Sequence, residues 1–264
     1  MAATTKSTAP ASTITDPLRA GIQAAALITS LIAAACSLGD TYNPSAPILL
    51  FNGTGTSPND VAAVESVLSA NHLDYTTANS RRLNRMTSSE IRVHRLIIIP
   101  GGNFIHIGKG LTPAATATLR SAVENGVNYL GICAGAFLAG KITGYNSLNL
   151  TRGVQFGFYA AENQGFQKAA VPITIAGAPT LEHYWENGPE LTGWGSVVGK
   201  YPDGTAAIVQ GTAGNGWVVL AGVHPEAPEY WRRGMVFNTP APADNAYAAS
   251  LVRAALNREL LPHY

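Results

Sequence analysis

The sequence predicts an α/β protein with three layers, in which a mostly parallel central sheet carries helices on both faces. Two observations lead to this prediction. From Pro47 onward, short apolar runs of strand length alternate with segments of helical periodicity, as a buried parallel sheet requires. Hydrophobic residues also make up 46% of the 264-residue chain, which is enough for a sizeable core. No linker composition interrupts residues 47–264, so this range is predicted to be one domain.

The first half of that range carries the clearest element signals. A helix is predicted to begin at Ser57-Pro58-Asn59-Asp60, which offers an N-cap, a first-turn proline and an early acid. Another is predicted to open at Thr112-Pro113 and to stop at Gly126. Four strands are predicted, at Ile48–Phe51, 73–77, Leu96–Ile99 and Asn128–Ile132, and the first and third of them are apolar at every position.

After about residue 150 the pattern changes to shorter strands joined by Gly- and Pro-rich turns. A closing helix is predicted from Asp244, as its N-cap, to Leu260. The shorter strands are predicted at 171–176, 196–201, 206–210 and 217–221.

Charge and cysteine content exclude several classes of protein. The 17 basic and 16 acidic residues give a formal net charge of +1 and form no basic stripe, which argues against a nucleic-acid partner. A small molecule or a peptide is the expected substrate. The two cysteines, Cys36 and Cys133, are too few for a disulfide framework or a metal cluster. Because the histidines also lack metal-ligand spacing, we expect no metal and no cofactor.

Residues 1–40 are predicted to be a signal peptide or a disordered leader. The segment begins rich in Ala, Thr, Ser and Pro and continues into an apolar stretch that ends in Ala33-Ala34-Ala35-Cys36. This ending also resembles a bacterial lipoprotein signal, in which the cysteine is lipidated. We therefore expect an exported protein, which is periplasmic, a cell-envelope lipoprotein or secreted. A lipid on Cys36 is the only membrane contact expected. The alternative to an export signal is an amphipathic or buried N-terminal helix.

The segment Gly131-Ile132-Cys133-Ala134-Gly135 directly follows a predicted strand. A nucleophile flanked in this way by glycines is typical of a sharp strand-to-helix turn that lifts the side chain above the sheet. The helix N-terminus favours the thiolate form of Cys133, and the Ala134 amide can face a developing oxyanion. The alternative is an ordinary buried cysteine among small residues.

Two further motifs follow predicted strands and favour catalysis. Pro100-Gly101-Gly102-Asn103 exposes backbone amides that can complete an oxyanion hole. His224-Pro225-Glu226 offers a general base for Cys133 and a carboxylate that orients it.

In this order, the three motifs resemble the class I glutamine amidotransferases and their relatives. The resemblance implies a flavodoxin-like fold and a Cys133, His224 and Glu226 triad. It also implies an oxyanion hole formed by the amides of Gly102 and Ala134. Contacts with the substrate are expected from Gly101, Asn103 and Tyr184.

Within that group the chain looks most similar to the amidotransferase-like domain at the N-terminus of eukaryotic biotin-protein ligases. The similarity lies in the segment 131–136 and in Tyr184-Trp185-Glu186-Asn187-Gly188-Pro189. One departure concerns the residues after the elbow. Amidotransferases have a Gln-containing segment there that holds glutamine, whereas this chain has Ala136-Phe137-Leu138-Ala139. The predicted function is a cysteine amide hydrolase acting on an amide or γ-glutamyl substrate. A non-catalytic binding or regulatory module and a thiol redox sensor are the alternatives.

The leader hypothesis predicts the start of the mature chain. N-terminal sequencing or intact mass of protein from its native host should show a start near Cys36, because processing follows a run of small residues. Retention of Met1 in the mature protein would contradict the hypothesis.

Overall fold

The computed structural model describes residues 42–159 and 167–264. The predicted leader at residues 1–40, with Cys36, therefore lies outside the described residues. Among the helices of the described ranges, none has both the length and the apolar character that crossing a membrane requires.

Short strands and helices alternate along the first half of the described chain, and strands dominate the second half. The strands are β1 (Ile48–Phe51), β2 (Tyr75–Ala78), β3 (Leu96–Ile99), β4 (Asn128–Ile132), β5 (Gly157–Phe158), β6 (Lys168–Ile175), β7 (Leu181–Glu186), β8 (Pro189–Glu190), β9 (Ser196–Lys200), β10 (Ala206–Ala213) and β11 (Gly216–Ala221). The helices are α1 (Pro58–Ala70), α2 (Ser80–Leu83), α3 (Ser88–Ile91), α4 (Phe104–Gly110), α5 (Pro113–Glu124), α6 (Ala134–Ala139) and α7 (Ala241–Asn257), with a 3₁₀ turn at Glu229–Arg232.

Nine strands form one sheet in the order β2-β1-β3-β4-β11-β10-β9-β6-β7. The five strands from β2 to β11 are parallel, and the remaining pairs are antiparallel. β5 and β8 form a separate two-stranded ribbon. The two strands with apolar residues at every position, β1 and β3, are fully buried in the parallel part of this sheet, as a strand covered on both faces requires.

Alternation of side chains along the strands divides the core into two layers. In β1, Leu49 and Phe51 pack on one side with α4, α5 and α6, whereas Ile48 and Leu50 pack on the other side with α1 and α7. Helices therefore cover both faces of the sheet. The predicted α/β fold, with three layers and a mostly parallel sheet, is confirmed.

The closing helix differs from its prediction. It begins at Ala241, after Pro240 as N-cap, and ends at Asn257, where Arg258 adopts a left-handed conformation with φ of 61°. The prediction of Asp244 as its N-cap is wrong. Asp244 lies inside the first turn, fully buried, and its carboxylate binds the guanidinium of Arg232. A buried ion pair therefore holds this acid, although its position near a helix start is typical of a cap.

The close packing of α6 on β3 predicts the effect of one substitution. A Cβ added at Gly135 overlaps the backbone carbonyl of Ile99, whereas a Cβ added at Gly157 meets nothing within 4 Å. Gly135→Ala should lower the free energy of unfolding by about 1–3 kcal/mol, the usual cost of overpacking. Gly157→Ala is the control, and denaturant unfolding measures both. Equal stabilities of the two variants would contradict this packing.

Candidate active site

Three neighbouring strands bring the predicted motifs to one edge of the sheet. β3 leads into Pro100-Gly101-Gly102, β4 leads into Cys133, and β11 leads toward His224. β4 pairs in parallel with both β3 and β11, so all three strands end on the same side. The carboxyl edge of a parallel sheet is where open α/β folds bind ligands.

Cys133 has the backbone of a nucleophile elbow. Its φ of 48° and ψ of −102° join β4 to α6, in a region that residues with a side chain rarely occupy. Its amide donates to the carbonyl of Ala221 over 2.8 Å, which fixes the turn against β11. Such strain, of about 1–3 kcal/mol, persists only where surrounding structure holds it. The thiol is 95% buried, with the sulfur 3.6 Å from the carbonyl oxygen of Glu186.

The glycines on either side of Cys133 make the turn possible. A Cβ at Gly131 overlaps the backbone of Gly135, and a Cβ at Gly135 overlaps that of Ile99. The hydroxyl of Tyr129 donates to the carbonyl of Gly135 over 2.7 Å and ties the helix start to the strand. The Gly-x-Cys-x-Gly spacing therefore follows from close packing of α6 on the sheet.

His224 lies buried beside the elbow. Its backbone amide donates to the carbonyl of Tyr184 over 2.8 Å, and its Nδ1 lies 2.9 Å from Oε1 of Glu226. Glu226 is itself 98% buried. The carboxylate thus orients the imidazole, which is the role that the His-Pro-Glu motif predicts.

Asp60 is a second carboxylate at the same imidazole, and sequence reasoning missed it. Its Oδ1 lies 3.2 Å from Nδ1 of His224. Its position in the Ser57-Pro58-Asn59-Asp60 helix start suggested only a favourable first-turn acid. Gly101 makes room for this arrangement, because a Cβ there overlaps the Asp60 carboxylate and lies 2.7 Å from Cε1 of His224.

The surroundings of His224 stabilise its charged form. Burial disfavours the imidazolium, but the charges of Cys133 and Glu226 and the hydrogen bond to Asp60 outweigh it, so the pKa of His224 lies well above its ordinary value of 6.5. The same imidazole lowers the pKa of Asp60 against the opposing effect of burial. A protonated His224 beside the sulfur is the partner that a thiolate needs.

The two predicted oxyanion-hole amides have different origins. Gly102 has a φ of 137° and forms an isolated β-bridge with Thr56. The hydrogen bonds of this bridge run from the Ser57 amide to the Gly101 carbonyl and from the Asn103 amide to the Gly55 carbonyl. The Gly102 amide itself is not used in that bridge. Ala134 is the first residue of α6, and first-turn amides have no partner within a helix.

A cavity of about 710 Å³ opens over Cys133. Of the predicted site residues, it is lined by Cys133, His224, Gly102, Asn103 and Tyr184. Glu226 lies behind His224, and Gly101 acts as a spacer under Asp60 and His224. Most of the other lining residues are aromatic or charged, namely Phe104, Phe137, Phe158, Tyr230, Trp231, Asp60, Lys168, Glu186 and Arg233.

The Asn103 side chain also has a structural role, since its Oδ1 accepts from the amide of His106 and caps α4. Tyr184 lies 5.8 Å from the His224 ring, and its hydroxyl donates to the Glu186 carboxylate. Burial first, and then this carboxylate, raise the pKa of Tyr184. Asn103 and Tyr184 thus line the cavity, as expected of residues that contact a substrate, whereas Gly101 does not.

The buried ion pair of Arg232 and Asp244 holds the 3₁₀ turn beside the cavity. The Trp231 ring packs edge-on against His224 at 5.7 Å, and the next residue, Arg232, binds Asp244 and the carbonyl of Thr239. His183 lies 3.5 Å from Asp244 in the same buried cluster and does not line the cavity.

Within residues 42–159 and 167–264, one group of three side chains brings His, Cys, Asp or Glu ligand atoms close enough to share a metal ion. It consists of Asp60, His224 and Glu226, whose ligand atoms lie within 4.8 Å of one another. Both carboxylates face Nδ1 of the same imidazole, Oε1 of Glu226 at 2.9 Å and Oδ1 of Asp60 at 3.2 Å.

Comparison with known proteins supports the resemblance predicted from the sequence. Residues 46–173 match the family described as biotin-protein ligase, N terminal. A biotin–protein ligase of Schizosaccharomyces pombe is 26% identical over 159 aligned positions, which cover 50% of this chain and 25% of the ligase. The chain thus matches about a quarter of that relative's length. The predicted resemblance to the amidotransferase-like group, and to this N-terminal domain in particular, is confirmed.

Two solved structures share the fold of this chain. A glutamine amidotransferase superposes with a TM-score of 0.56 at 17% identity, covering 69% of this chain and 91% of that one. PurLQS from Thermotoga maritima gives 0.53 at 16% identity, covering 79% and 98%. At these identities the likeness establishes the fold, which is that of the class I glutamine amidotransferases.

The raised pKa of His224 predicts a pH dependence of stability. Because the pKa in the folded protein exceeds 6.5, the stabilisation from protonated His224 is complete below about pH 6.5 and is lost as pH rises through the folded pKa. NMR titration of the imidazole Cε1–H should show a transition above pH 6.5 that moves to lower pH in Cys133→Ala and in Glu226→Gln. A transition at or below pH 6.5 in the unmodified protein would contradict the charged state described above.

Proposed function

From a chain of class I glutamine amidotransferase-like fold, whose residues 46–173 match the biotin-protein ligase N-terminal family, we infer an enzyme. We propose a cysteine hydrolase that cleaves the C–N bond of an amide, a γ-glutamyl amide included. Cys133 is the nucleophile, His224 is the general acid and base, and Glu226 orients the imidazole. Asp60 adds a second carboxylate at Nδ1 and further favours the imidazolium.

The first half-reaction forms a thioester. The Cys133 thiolate attacks the amide carbonyl carbon, and the carbonyl electron pair moves to oxygen, where the amides of Gly102 and Ala134 stabilise the oxyanion. The imidazolium of His224 gives its proton to the nitrogen. The C–N bond then breaks, the amine leaves with that proton, and a neutral imidazole remains.

The second half-reaction releases the acid. His224 takes a proton from water as the water oxygen attacks the thioester carbon, and a second oxyanion forms. When this intermediate collapses, the C–S bond breaks and the thiolate leaves. The site returns to the thiolate and imidazolium with which it began, so one amide and one water give one acid and one amine.

The observation that carries this proposal is the buried His224 between Cys133 and two carboxylates. A binding module has no use for a buried, oriented acid and base beside a strained cysteine. A redox sensor needs a reactive thiolate but no proton donor for a leaving group. The arrangement costs stability through strain and burial of charge, and hydrolysis gives a reason for it.

Turnover of simple amides tests the proposal. Release of ammonia from a panel of carboxamides and γ-glutamyl amides should be abolished in Cys133→Ala. It should fall roughly 10²–10⁴-fold in His224→Gln, the usual contribution of general acid–base catalysis. Glu226→Gln should have a smaller effect, since the imidazole remains. His106→Gln, which removes an exposed imidazole outside the cavity, is the matched control.

Alkylation separates catalysis from mere binding. At pH 6, iodoacetamide should modify Cys133 faster than a free cysteine, whose pKa is about 8.5. His224→Gln should slow this reaction because the thiolate loses its cation. Equal alkylation rates in His224→Gln and the unmodified protein, together with no turnover of any amide, would refute the hydrolase and leave a binding module.

A further inference from the structure

We propose that the amide cleaved at Cys133 carries an aromatic or bulky apolar side chain on its acyl part, and that three phenylalanines bind this side chain. This inference rests on the proposed hydrolase and names its substrate class. The three residues, Phe104, Phe137 and Phe158, are called the phenylalanine wall below; all line the cavity with Cys133.

The phenylalanine wall is a contiguous aromatic surface. The rings of Phe104 and Phe137 stack at 4.4 Å, and Phe158 meets Phe137 edge-on at 4.9 Å and lies 6.1 Å from Phe104. These spacings lie in or near the range in which aromatic rings attract one another. A further ring or a branched aliphatic group placed against them gains both the ring contacts and the burial of apolar area.

The wall is placed to hold the acyl side of a substrate. Phe137 lies in α6, four residues after Cys133, and both residues line the cavity. Phe104 directly follows the loop that presents the Gly102 amide. A carbonyl carbon at the sulfur, with its oxygen at Gly102 and Ala134, therefore has its acyl substituent beside these rings.

Phe158 shows that the wall is incomplete without a ligand. Phe137 is buried, but Phe158 remains 42% exposed at the cavity although it touches the other rings. An apolar surface left open within a cavity is typical of a binding site.

The cavity also has polar lining residues, which suit the remainder of an amide. Lys168 and Glu186 contribute to it from paired strands, and Asn187 follows with φ of 47°. Oδ1 of Asn187 is buried and has no hydrogen-bond partner among the described residues. A buried acceptor of this kind gains free energy from an N–H donor, which an amide substrate supplies.

Substrate preference tests the inference. Ammonia release is measured with N-acetyl-L-phenylalaninamide, N-acetyl-L-leucinamide, N-acetylglycinamide and L-glutamine. The phenylalanine amide should exceed the glycine amide in kcat/KM by roughly tenfold or more, mainly through KM. In Phe158→Ala that ratio should fall roughly tenfold. Tyr145→Ala, which removes an equally exposed ring outside this cavity, is the control and should keep the ratio.

Binding to an inactive protein distinguishes failure of this inference from failure of the hydrolase. Calorimetry with Cys133→Ala should show N-acetyl-L-phenylalaninamide binding more tightly than N-acetylglycinamide, and Phe158→Ala in that background should remove the difference. If this difference is present but the unmodified protein turns over no amide, the wall stands and the hydrolase fails. Turnover or binding that ignores the side chain, or a preference unchanged in Phe158→Ala, would overturn the inference.

Discussion

A cysteine with φ of 48° is held in a conformation that the rest of the fold must stabilise. The amide of Cys133 is bound by β11 on one side, and α6 is pressed onto β3 at Gly135 on the other. Relaxation of the backbone would break the hydrogen bond or separate helix from sheet. The free energy stored in the turn is thus balanced by core packing, and the same packing holds Cys133 in the lining of the cavity.

The second constraint is electrostatic. His224, Glu226 and Asp60 are all buried, and a buried charge is tolerated only when it is paired. The charges of Cys133 and Glu226, together with the hydrogen bond to Asp60, raise the pKa of His224 strongly enough to overcome burial. The ion-pair cluster of Arg232 and Asp244 then fixes the turn that packs Trp231 against the ring. The orientation of His224 depends on both clusters, one in contact with the ring and one behind it.

The sequence could predict the parts of the site that lie within short motifs. Cys133, His224, Glu226 and the two amides all belong to segments whose spacing has a local physical reason. Asp60 could not be predicted in this way, because it reaches His224 only through the packing of α1 beside the β3 loop. The phenylalanine wall was missed for the same reason, since its members lie on three separate elements. The N-cap prediction for Asp244 was wrong because an acid near a helix start can either cap the helix or form a buried ion pair, and only the tertiary structure decides between them.

The pairing of β4 with β11 fixes the position of the Cys133 sulfur relative to the His224 imidazole. Ile132 of β4 is in register with Ala221 of β11, so Cys133 comes one residue after the paired position and His224 three residues after it. A residue added or deleted between Ala221 and His224 displaces the imidazole by about 3.3 Å, which is about the length of a hydrogen bond. Substitutions in the helices can change the structure in small steps, whereas a change of length between Ala221 and His224 moves the imidazole by a whole residue. This connection should therefore keep its length wherever the chemistry is retained.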